Sequence, residues 1–190
     1  MSDNKINQEN NIVSGDQAGG SIDKSVHNYF TKSSMPSRMA NLIKKFKEEK
    51  AGDQLFQTEI AKLKHYMEQV PTEVVIGLEA KLKEGGQEDI LSFAEKTKEL
   101  FTKKLVQYQF SESAQEIHAY LLVEVFTRFN LHVTPLIKQN ASKEQIRGAV
   151  QINIIDQINS LLDDNVLDLY PDEITGMLYF LTGNCHIKWV

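Results

Sequence analysis

Apolar residues recur along most of the chain at helical spacing. Met39, Leu42, Ile43 and Phe46 follow i, i+3, i+4, i+7 and predict an amphipathic helix, with Ser34 or Ser37 as its cap. Phe56, Ile60, Leu63, Met67 and Val70 predict a second helix that ends at Pro71. A short third helix holds Val74, Val75, Leu78 and Leu82, and the glycines of "EGG" at 84–86 stop it. Ile90, Ala94, Thr97, Phe101 and Leu105 trace a fourth.

From about 113 to 139 the pattern changes, because "IHAYLLVEVFTRFNLHV" is apolar on nearly every face. Such a helix is one surrounded by others. "SAQE" at 113–116 has the form of a capping box, and Pro135 is expected to kink or end the helix. A second box, "SKEQ" at 142–145, opens a helix carrying Ile146, Val150, Ile154, Ile158 and Leu161. The last helix is "EITGMLYFLTG". The tail "NCHIKWV" then alternates, with Cys185, Ile187 and Trp189 on one side and His186 and Lys188 on the other. That period predicts a short terminal strand.

Residues 1–35 break the helical pattern. They are rich in Asn, Ser, Gly, Asp and Gln and have too few large apolar groups to bury a core. The expected organisation is a polar arm over 1–35 with short β segments, then a helical domain over 36–190 that ends in a strand. The fold class is mainly α, with six or seven helices and a short β element from arm and tail.

Composition narrows the function classes. The chain has 190 residues, 41% hydrophobic and 25% charged, as an ordinary globular protein does. A net charge of −5 argues against general nucleic-acid binding. Lys44, Lys45 and Lys47 form a local basic cluster, but Glu48 and Glu49 follow at once, which reads as a solvated helix face. The single Cys185 excludes an internal disulfide and fits a reducing cytoplasm. No apolar run nears the ~20 residues that span a bilayer, and "MSDNKINQEN" has no signal-type core.

Candidate chemistry is sparse. The arm's Gly15, Gly19 and Gly20 lack the Lys-Ser/Thr pair of a phosphate loop, and no dinucleotide fingerprint occurs, so no cofactor is expected. The stretch reads either as a flexible tail or as two short β pieces anchored by Ile12, Val13 and Ile22, open to pairing with the tail or another chain. His27, His65, His118, His132 and His186 show no metal-binding spacing; His118 and His132 are expected on a helix surface or core rim. Cys185 beside His186 resembles a nucleophile with its base, yet neighbours on a strand point apart. Glu124 and Arg128, at i, i+4 in the most apolar segment, are expected to form a partly buried ion pair. Asp172 and Glu173 suit a helix N-terminus, and neither they nor Asp163 and Asp164 have convergent metal ligands.

Three stretches carry a family resemblance: "GMLYFLTGNCHIKWV", "FSESAQEIHAYLLVEVFTRFN" and "IVSGDQAGGSIDKS". Together, over about residues 10–190, they resemble a domain of bacterial ABC three-component anti-phage systems. Those systems combine an ABC-type ATPase, a small middle component and an effector, and the domain usually ends the effector chain. Here only the short arm precedes it, so the resemblance implies a stand-alone adaptor whose ATPase and effector partners come in trans. The expected function is a non-enzymatic, cytoplasmic interaction and oligomerisation module. Its expected contact residues are Ile12, Val13, Gly15, Gly19, Gly20, Ile22, Ile187 and Trp189. The alternatives are an inhibitor of a defence complex, a small hydrolase using Cys185, and a nucleic-acid sensor using the lysine cluster.

Overall fold

The computed structural model describes residues 37–52, 60–71, 74, 77–162 and 164–190. Among these it has seven helices and no strand. They are α1 (Arg38–Gly52), α2 (Ala61–Met67), α3 (Leu78–Glu84) and α4 (Leu91–Gln107), the last entered through a 3₁₀ turn, Glu88–Ile90. Helix α5 (residues 112–138) runs through Glu112–Arg128, a π turn at Phe129–Val133, and Thr134–Lys138. Helix α6 (residues 143–161) likewise joins Lys143–Val150, a π turn at Gln151–Ile155, and Asp156–Leu161. Helix α7 is Pro171–Gly183.

The all-round apolar segment sits where its composition requires. Helix α5 packs against α1, α2, α6 and α7, and it buries Ile117, Leu121, Leu122 and Val125. Helix α1 lays Met39, Leu42, Ile43 and Phe46 into the same core, and α2 adds Leu63 and Tyr66. Helices α4 and α7 meet at Gly176, whose Cα lies against the Thr97 carbonyl and the Phe101 side chain. A methyl group there would collide with backbone, which cannot swing aside as a side chain can. Gly176→Ala is therefore expected to cost about 1–3 kcal/mol through overpacking. Urea unfolding of the variant checks this, and an unchanged midpoint would mean that the helices can part freely.

The helix ends show which polar signals operate. Ser37 caps α1 by accepting the Ala40 N–H at 3.1 Å. The Ser142–Gln145 box forms as expected, with Gln145 N–H donating to the Ser142 hydroxyl and Ser142 N–H to the Gln145 side chain. The "SAQE" box does not form. Ser111 caps α5 instead, and Ser113 is buried within the first turn. The Ser113 N–H donates at 2.9 Å to Glu49 of α1, and its hydroxyl donates to the same oxygen. Burial pushes the Glu49 carboxyl up, but the hydrogen bonds from Ser113 outweigh it and hold the group below its ordinary value. Pro135 does not end α5. It has no N–H to offer the Leu131 carbonyl, and the preceding π turn takes up the defect, with Thr134 N–H reaching back to the Phe129 carbonyl.

The expected terminal strand is corrected. Cys185 takes a left-handed φ of 68°, and its N–H donates to the Thr182 carbonyl at 3.1 Å. His186 N–H donates to Leu181 at 2.9 Å, which completes a Schellman close to α7. Ile187 N–H donates to the same Leu181 carbonyl at 3.3 Å. The N–H groups of Cys185, His186 and Ile187 are thus taken by the end of α7. The alternation still sorts the faces, because Cys185, Ile187 and Trp189 are buried while Lys188 is exposed. The arm, the other half of the expected β element, lies outside the described residues.

Candidate interaction surfaces

Of the expected contact residues, Ile12, Val13, Gly15, Gly19, Gly20 and Ile22 lie outside the described residues. Ile187 and Trp189 are described, and both are buried in the chain's own core. The Trp189 indole N–H donates to the Thr182 hydroxyl at 3.2 Å. Its ring stacks on Tyr179 at 6.4 Å and 17°, and it meets Phe129 edge-on at 5.2 Å. Gly85, just past α3, lies against the Trp189 backbone and Cβ, a close approach that a side chain would block.

Helix α2 is held at both ends, by α5 at its start and by this closure at its finish. Its Ile60 N–H donates to the Gln115 side chain at 2.8 Å, and Gln115 in turn donates to the Gln109 carbonyl at 2.7 Å. At the other end Asn184 donates to the Tyr66 carbonyl at 3.0 Å, and His186 Nε2 lies 3.1 Å from the Glu68 carbonyl. His186 therefore turns towards α2 while Cys185, whose Sγ is 4.0 Å from the Gly183 carbonyl, turns inward. The two side chains point apart, as the alternation requires.

His132 is exposed, but His118 lies deeper than a core rim, at 1% exposure between the rings of Phe101 and Tyr108. Burial, with the nearby Lys104 charge adding to it, pushes the imidazole down to about 3. Its Nε2 has no hydrogen-bond partner among the described residues. The fold therefore holds His118 neutral, whereas the unfolded chain takes up a proton below its ordinary value of 6.5. The resulting stability is fully present above that pH and is lost as pH falls through the window towards about 3. The expected loss approaches about 1.4 kcal/mol per pH unit. Urea unfolding between neutral and mildly acid pH checks this, and His118→Phe should flatten the slope.

The basic cluster is neutralised in place. Lys45 bridges to Glu112 and Glu116 of α5 at 3.5 and 3.1 Å, Lys47 reaches Asp164 at 2.7 Å, and Lys44 pairs with Glu48 at 3.8 Å. Glu124 and Arg128 form the expected half-buried pair at 3.1 Å, and Arg128 also donates to the Asn153 carbonyl of α6 at 3.4 Å. Glu173 accepts the Tyr170 N–H at 2.9 Å at the start of α7. Among the described residues no cluster of side chains has metal-binding geometry.

The pattern along the chain did not point to the apolar surface between α2 and α4. Leu63 and Met67 of α2 face Leu105 and Val106 of α4 across a hollow of about 110 Å³, floored by Phe180. Met67 belongs to the α2 stripe yet is partly exposed, and Val106 is 58% exposed. This volume falls well below the ~300 Å³ at which small-molecule sites begin, and it suits one apolar side chain of a protein partner. A wider cleft of about 810 Å³ lies beside it, between α3 and α4. Lysines and glutamates alternate along that cleft, including the Lys103–Glu99 pair at its edge, so it presents no single sign of charge.

These features define a helical domain closed by its own C-terminal residues, with apolar surface exposed between α2 and α4. Residues 77–189 match C-terminal domain 9 of the ABC-three component (ABC-3C) systems, and the chain belongs to that family. Membership in a multi-component system implies protein partners and points to a role in defence. No curated protein and no solved structure matches the chain. No described helix is long and apolar enough to cross a membrane. The match begins at Gly77, so α1 and α2 precede it although they share its core.

Proposed function

We propose that the chain is a non-enzymatic adaptor or regulatory subunit of a bacterial anti-phage complex, with an ABC-type ATPase and an effector as its partners. Membership in the ABC-three component family over residues 77–189 is the observation that carries this reading. The hollow between α2 and α4 supports it, because it offers a one-side-chain anchor site ringed by exposed Met67 and Val106. The arm, through Ile12, Val13 and Ile22, adds self-association to the same reading.

Phage challenge of cells carrying the whole locus tests it. Protection should fall when Met67 and Val106 are both replaced by Asp, and it should survive Cys185→Ser. If Cys185→Ser abolished protection in a folded protein, the reading would give way to an enzyme working through that thiol.

A further inference from the structure

We propose that Asn184 and His186 form a clasp that docks α2, and that protonation of the facing His65 and His186 releases this one helix while the others stay folded. The device is independent of the adaptor reading. It bears on the hollow only because Leu63 and Met67 of α2 form one wall of it.

Helix α2 has seven residues and buries only Leu63 and Tyr66. A helix this short is marginal by itself, and its last carbonyls need partners from elsewhere. The tail supplies them. Asn184 donates to the Tyr66 carbonyl at 3.0 Å and accepts the Val70 N–H at 3.2 Å, and His186 Nε2 lies 3.1 Å from the Glu68 carbonyl. A carbonyl only accepts, so His186 Nε2 carries a hydrogen and a second proton enters at Nδ1. The same imidazole meets the ring of His65 at 5.3 Å and that of Tyr66 at 5.1 Å. The tail is anchored separately, through its N–H groups on α7 and the buried Trp189. The clasp can therefore open on the α2 side alone.

The surrounding charges do little to welcome another positive one. On α2, Lys62 lies over the Tyr66 ring at 5.7 Å, and burial pushes the Tyr66 phenol up, so it stays neutral. On α2 and the tail the carboxylate is Glu68, which Lys64 already pairs at 3.8 Å, and Lys188 is exposed. Helix α7 ends in the uncharged Leu181, Thr182 and Gly183. Helix α5 meets Tyr66 through Phe126, and its Glu124 and Arg128 pair with each other. Burial pushes the His186 imidazole below its ordinary value of 6.5, the Glu68 carbonyl pulls it back, and His65 adds to the downward push. Docking of α2 thus favours a neutral His186. The clasp is at full strength above that pH and weakens as pH falls below it.

Amide hydrogen exchange of the full chain at about pH 7.5 and about pH 5.5, corrected for intrinsic rates, tests this. The Lys64 and Glu68 amides, which bond within α2, are compared with those of Leu121 and Leu122 in α5. The α5 amides report opening of the whole core, including any driven by His118. Protection in α2 should fall about three- to tenfold more than protection in α5. His186→Gln, whose amide can donate to the Glu68 carbonyl but takes up no proton, should remove that excess, and His65→Gln should shrink it. An equal loss in both helices would overturn the proposal, as would an excess that either variant leaves at full size. Should His186→Gln leave α2 unprotected at both pH values, His65→Gln decides alone, because the clasp uses no hydrogen bond from the His65 side chain.

Discussion

Cut back to residues 77–190, close to the family-matched span, the chain is expected to lose its cooperative unfolding transition. Helices α1 and α2 bury Met39, Leu42, Ile43, Phe46, Leu63 and Tyr66 in the shared core. Each fully buried side chain of this size is worth about 1.5–3 kcal/mol, against a total stability of about 5–15 kcal/mol for a typical domain. The cut also removes the Glu49 carboxylate from Ser113 and the Ile60 N–H from Gln115, two hydrogen bonds that tie α5 to the removed segment. Urea unfolding followed by circular dichroism compares the cut chain with the full one. A sharp transition at the same midpoint in the cut chain would mean that α1 and α2 are appendages.

Trp189→Ala is expected to destabilise the protein by about 3–5 kcal/mol, the usual cost of emptying a buried aromatic site. The ring is 3% exposed, lies on Tyr179 and Phe129, and donates to the Thr182 hydroxyl. Trp189→Phe should recover much of the loss but not that hydrogen bond. Chemical denaturation of both variants separates two roles for the tail. A residue kept for partner contact would leave the unfolding midpoint in place when replaced, whereas a core residue shifts it strongly.

The helical frame was legible because its signals are local. The stripes of α1 and α4, the Ser142–Gln145 box and the glycine stop after α3 all act within a turn or two of chain. The terminal strand misled because alternation reports only which side chains face inward. An extended tail folded onto its own helix has the same period as a strand. The left-handed turn that redirects the tail sits at Cys185, where glycine is the usual sign, so nothing announced it. Ser113 carried a capping-box pattern, but its partner Glu49 lies 64 residues away and belongs to another helix. The hollow beneath Met67 and Val106 also joins two helices, and each residue alone looks like an ordinary position on a helix face. Long-range pairing decided these last two features, and a single pass along the chain does not contain it.

The adaptor reading stands or falls on physical association with the other components. The most direct test is the light-scattering mass of the chain co-expressed with the ABC-type ATPase and effector of its own locus. One complex of fixed composition, containing all three and dissociating when Met67 and Val106 are both replaced by Asp, is the expected result. An ATPase–effector complex that forms without this chain, while the chain elutes alone, would contradict it.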